Sequence, residues 1–122
     1  MIFYQTKINK LPGTNYSEVK GRAYLIFKQI KSKTKRKPYL RSVYFNKQKV
    51  FFDYFWNHLG QKKSVKEKTL RLKCLPCAID LIKNSKIKPS SKENPNNTEE
   101  FLHRFYGQTK NKEKFAVQNQ RE

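Results

Sequence analysis

The chain has 122 residues, with 28 Lys or Arg against 9 Asp or Glu, a net charge of +19. The length fits one domain, and a charge of that size repels itself in a compact state unless a polyanion relieves it. Hydrophobic residues make up only 36% of the chain, but aromatics reach 14%, which argues against simple disorder and for a small aromatic core under a basic surface.

In chain order, residues 1–15 read as a short extended segment ending in a turn at Leu11-Pro12-Gly13-Thr14-Asn15. Val19, Ala23, Ile26, Phe27 and Ile30 recur at helical spacing, which predicts a helix over about 17–31 with Ser17 as its cap. The basic run Lys31 to Pro38 predicts a mobile loop or a fraying helix end. Tyr39 to Phe45 is β-branched and aromatic and predicts a strand, with Tyr39, Arg41, Val43 and Phe45 on one face. Asn46 is expected to cap a helix over about 47–59, whose stripe is Phe51, Phe52, Phe55 and Leu59.

Ser64 opens a second helical pattern that Pro76 must kink or divide. Residues 83–98 are rich in Lys, Ser, Asn and Pro and predict a long exposed, mobile loop. Glu99 to Tyr106 and Phe115 to Asn119 predict a two-stranded hairpin. The expected fold is a single α+β domain over 1–122, with two to four helices packed on a small antiparallel sheet. No run has signal-peptide character or approaches the roughly 18–20 apolar residues of a membrane span, so a cytoplasmic chain away from membranes is expected.

Four groups of residues bear on chemistry. Lys33, Lys35, Arg36, Lys37 and Arg41 crowd around Tyr39 and Tyr44, and Arg71 adds a cation on the later helix. Cations neutralise phosphates and exposed rings stack on unpaired bases, so nucleic acid is the expected partner, RNA ahead of DNA. The bland alternative is a solvated basic loop. His58 and His103 are the two histidines. Metal-independent RNA cleavage asks for a base, an acid and cations around the phosphate, and His103, Arg41, Arg104, Tyr44 and Thr109 offer that set. The alternative is that each histidine packs at the edge of the core.

Cys74-Leu75-Pro76-Cys77 has the spacing of half a zinc site, but its apolar neighbours favour cysteines packed as small hydrophobes. No phosphate-binding glycine motif is present, and the sparse carboxylates do not favour two-metal chemistry. No cofactor or metal is expected.

The stretch Phe101-Leu102-His103-Arg104-Phe105-Tyr106-Gly107-Gln108-Thr109, followed by Phe115-Ala116-Val117-Gln118, resembles the sheet region of the phage-associated barnase, EndoU, colicin and RelE-like nuclease families. Arg41-Ser42-Val43-Tyr44-Phe45 and Phe55-Trp56-Asn57-His58-Leu59 are similar to small proteins of bacterial and mobile-element origin. The resemblance covers about residues 38–118. It implies a metal-independent RNase acting as a toxin or phage-associated effector, with a protein partner such as an antitoxin. His103, Arg104 and Thr109 are the positions it carries over, and Gly107-Gln108-Thr109 is its turn. Those folds usually add a further strand after the last one seen here. The expected function is therefore a nucleic-acid-interacting protein, with a small metal-independent RNase as the first reading and a non-catalytic RNA- or DNA-binding module, within a ribonucleoprotein, as the alternative.

Overall fold

The computed structural model describes residues 2–34, 38–51, 64–94 and 97–121. Among them the order is β1 (Tyr4–Gln5), α1 (Tyr16–Ser32), β2 (Tyr39–Ser42), β3 (Gln48–Phe51), α2 (Val65–Lys73), α3 (Leu75–Asn84), β4 (Ser90–Asn94), β5 (Asn97–Gln108) and β6 (Lys114–Arg121). This is the expected α+β class; the described residues form three helices and a four-stranded mixed sheet beside a two-stranded ribbon.

Helix α1 begins one residue before Ser17. Asn15 is its cap, and the Asn15 side chain accepts from the Glu18 N–H at 2.8 Å. Ser64 caps α2 and accepts from the Glu67 N–H at 3.4 Å, the first half of a capping box. Pro76 divides the second helical pattern as expected. It sits in the first turn of α3, where its missing N–H has no helical partner to lose.

Three expectations along the chain are corrected. Residues 48–51 form a strand rather than the start of a helix, and the rest of that predicted helix, 52–59, lies outside the described residues. The reason is the five-residue loop 43–47, where Asn46 (φ 55°) and Lys47 (φ 64°) take left-handed backbone and reverse the chain. Asn tolerates that region well, so Asn46 turns a hairpin instead of capping a helix. The predicted strand 39–45 accordingly stops at Ser42. Within 83–98, residues 90–94 form β4 rather than loop, paired antiparallel to β5 from Ser90↔Arg104 onward.

Strand β5 is the spine of the sheet. On one side it pairs with β6 from Phe101↔Arg121 to Gln108↔Lys114. On the other it pairs with β4, and beyond that with β1, parallel, at Tyr4↔Gly107 and Gln5↔Gln108. The ribbon β2–β3 pairs Tyr39↔Phe51 through Ser42↔Gln48. It buries Leu40, Ser42 and Val50, while Arg41 and Lys49 face solvent.

The core lies between the inner face of β5–β6, with Phe105 and Val117, and helix α3, with Leu75, Ala78, Leu81 and Ile82; Val19, Ala23 and Leu72 extend it to α1 and α2. Gly107 lies inside β5, not in the turn that follows it. A Cβ there would stand 2.5 Å from Phe115 Cζ and 2.7 Å from Leu81 Cδ1. The missing side chain is what lets the Leu81 side chain and the Phe115 ring close over the strand.

The segment 4–11 crosses this core as a strap held at several points. Buried Asp80 accepts from the Tyr4 hydroxyl at 3.1 Å, the Lys7 N–H at 2.8 Å and the Asn84 amide at 2.7 Å. Thr6 N–H donates to Gln108 O at 3.0 Å, Cys77 Sγ to Ile8 O at 3.3 Å, and Leu11 N–H to Lys73 O at 2.9 Å. Burial, reinforced by Asp80, pushes the Tyr4 phenol up to about 12.

Two predictions test this packing. Gly107→Ala should destabilise the fold by about 1–3 kcal/mol through overpacking, whereas Gly21→Ala, which meets nothing within 4 Å on α1, should stabilise it by about 0.5–1 kcal/mol. Urea unfolding of both variants measures the opposite signs. Tyr4 is protonated in the fold up to about pH 12, but loses its proton near 10 when unfolded. Its contribution is therefore complete below pH 10 and lost between about 10 and 12. Tyr4→Phe should show a shallower loss of stability across that window, as well as a cost of about 1–2 kcal/mol at neutral pH from one missing donor to Asp80.

Candidate nucleic-acid interface

The ribbon β2–β3 meets the C-terminal ends of α1 and α3 at a cleft of about 450 Å³. Its floor is apolar: Ile26 and Ile30 from α1, Leu40 from β2, Ile79 from α3. Its rim carries Lys33, Arg41 and Lys83, with Gln29, Thr34 and the Tyr39 ring between them, and among the described residues no acid lines it. Strand alternation sets this division of labour. Leu40 turns inward while Tyr39 and Arg41 turn outward. Helical spacing instead puts Ile79 and Lys83 on one side of α3, one turn apart, so both line the cleft.

Tyr39 is held between cations. The Arg41 guanidinium lies 5.5 Å and the Lys49 ammonium 4.7 Å from the ring centroid. Arg41 also donates from Nη1 to Lys47 O at 3.0 Å, which ties its side chain to the hairpin turn. Both helix C-termini present partial negative charge here, which favours the cations of the rim.

Of the sequence-predicted contacts, Lys33 and Tyr39 are thus brought together, and Arg41 joins them. Lys35, Arg36 and Lys37 lie outside the described residues. Arg71 lies elsewhere, on a cavity of about 350 Å³ between α2 and β6, also lined by Lys10, Cys74, Glu67, Glu113 and Lys114. There Lys10 and Glu113 form an ion pair at 2.7 Å, so cations and acids are mixed. Lys83 is not among the sequence-predicted contacts, because the composition of 83–98 assigns it to a loop, whereas it lies in the last turn of α3. Its signal was its place one helical turn after Ile79.

Of the residues assigned to cleavage, His103 and Tyr44 share one aromatic cluster, while Arg104 and Thr109 lie apart from it. His103 faces the core side of β5. It shares a 2.7 Å hydrogen bond with Ser91 Oγ, and its ring lies 5.1 Å from Phe45 and 6.4 Å from Phe101. Tyr44 belongs to the same aromatic cluster, at 5.0 Å from Phe45 and 5.8 Å from Phe105, both edge to face. Arg104 lies on the opposite, outer face and donates to Gln118 Oε1 at 2.9 Å. Thr109 follows the end of β5, about 20 Å along the chain from His103 at strand spacing. Its side chain is only 2% exposed, and its Oγ1 accepts from Glu113 N–H at 3.2 Å across the hairpin turn. His58 lies outside the described residues.

The outer face of the β4–β5–β6 sheet is a second basic surface, with exposed Lys92, Arg104 and Lys114. The Lys114 ammonium stands 4.9 Å over the Phe3 ring, which meets Tyr106 edge-on at 6.2 Å.

The cysteines are free, Cys77 buried and Cys74 half-buried, and burial pushes both thiols up, away from the thiolate that reactivity or metal binding needs. Among the described residues no group of three or more His, Cys, Asp or Glu comes together as a metal site, and no helix is long and apolar enough to cross a membrane. No protein-family model, curated protein or solved structure matches the chain.

Proposed function

We propose that the protein binds nucleic acid, with the cleft of Lys33, Tyr39, Arg41 and Lys83 as its phosphate-gripping centre. The observation that carries this reading is the lining of that cleft: among the described residues, three cations and no acid line it. The excess charge of the whole chain supplies the long-range attraction, and the cleft supplies a place where it is focused. Each phosphate contacted releases condensed counterions, so affinity gained this way falls with salt.

Binding without cleavage is the reading we favour. A general base must reach the proton it removes, with cations at the same phosphate. His103 and Arg104 point to opposite faces of β5, and Thr109 is engaged in a turn. A metal-independent RNase built on His103 would need these groups on one surface.

Fluorescence anisotropy with labelled single-stranded RNA, single-stranded DNA and duplex RNA tests the proposal. If the three rim cations each neutralise a phosphate of a single strand, log K should fall against log salt with a slope steeper than about −2, and Arg41→Ala should reduce that slope by about 0.7. No measurable binding near 0.15 M salt would overturn it. Gels of the same RNA, with and without EDTA, should show intact strands. Cleavage abolished by His103→Ala would replace binding alone by the RNase reading.

A further inference from the structure

The cleft is more than a cluster of charges, because its floor is apolar. Ile26, Ile30, Leu40 and Ile79 come from three different elements and line a space of about 450 Å³ beneath the cationic rim. A phosphate backbone alone has no use for such a floor, since charged oxygens gain nothing from aliphatic contact. An unpaired nucleotide does: its base is a flat body with apolar faces, and its phosphates flank it on both sides. The volume falls in the range of about 300–1,000 Å³ usual for pockets that take a small molecule. A duplex presents phosphates outward and keeps its bases stacked, so it reaches the rim and leaves the floor empty.

Resting on the nucleic-acid reading above, we infer that the cleft takes a single unpaired nucleotide, its base on the Ile26–Ile30–Leu40–Ile79 floor and its flanking phosphates on Lys33, Arg41 and Lys83. Tyr39 is the wall between the two. Its ring bears Arg41 at 5.5 Å and Lys49 at 4.7 Å, and Tyr39 and Arg41 both line the cleft. Gln29 and Thr34 stand at the edge of the pocket, where polar groups of a base or ribose would lie. The occupant is thus a single-stranded or locally unpaired segment, and charge complementarity together with the apolar floor argues for it over a purely anionic ligand.

The test compares four ligands on the intact protein at one salt concentration: a single-stranded RNA 15-mer, its duplex, the same 15-mer made wholly abasic, and the abasic 15-mer with one base restored. The single strand should bind at least about fivefold tighter than the abasic strand, and one restored base should recover most of that difference, since a seated base contributes at least that factor. Titration with adenosine monophosphate, followed by methyl NMR, should shift Ile26, Ile30, Leu40 and Ile79 together.

Equal binding of normal and abasic strands would overturn the inference and leave the nucleic-acid reading standing. Methyl shifts with decanoate but not with the nucleotide would overturn it in favour of an amphipathic acid. Absence of binding by every strand would sink both.

Discussion

The carboxylate of Asp80 sits where helix α3 meets the N-terminal strap, and the fold is organised around satisfying it. A buried carboxylate costs several kcal/mol unless donors replace its water. Three do so here, from Tyr4, Lys7 and Asn84. Two of them lie more than seventy residues away in sequence, so stabilising one charge fixes the path of the whole strap. The strap then sets β1 beside β5, and β5 sets the registers of β4 and β6. Gly107 completes the arrangement by letting α3 approach β5 at the same level as β1.

The few acids with described side chains are all committed to architecture. Glu18 and Glu67 stand in the first turns of α1 and α2, where helix N-termini favour negative charge. Glu113 pairs with Lys10 and Asp80 holds the strap. None of them lines the cleft of Lys33, Arg41 and Lys83. The excess of positive charge therefore becomes a local field as well as a total. A chain with this balance needs no special placement of cations to make a basic cleft; it needs only that its acids be spent elsewhere.

Much of the fold was legible where apolar residues repeat with a clear period. Val19, Ala23 and Ile30 marked α1, and Pro76 marked the break between α2 and α3. The hairpin of β5 and β6 was legible from its aromatics. What was not legible depended on backbone and partners. Strand β4 reads Ser-Ser-Lys-Glu-Asn, with no apolar residue, and exists because β5 offers it hydrogen bonds. The aromatic pair Tyr44-Phe45 looked like strand, yet it sits in a loop that two left-handed residues impose.

The site was half legible for the same reason. Alternation put Arg41 beside Tyr39, and basic composition flagged Lys33. The resemblance grouped His103, Arg104 and Thr109, although alternation along a strand already separates His103 from Arg104. A strand places adjacent residues on opposite faces, and a turn buried Thr109. Lys83 was hidden because it ends a helix rather than sitting in a basic run.

The strap also fixes an order of events during synthesis. Its Gln5 and Lys10 meet partners 103 residues later in the chain, Gln108 and Glu113. At a ribosome's pace of about 5–20 residues per second, the segment emerges roughly 5–20 s before those partners exist. For that interval Tyr4, Thr6 and Ile8 have no sheet to join, although α1 can form behind them. The first strand described here waits for a hairpin made about a hundred residues later.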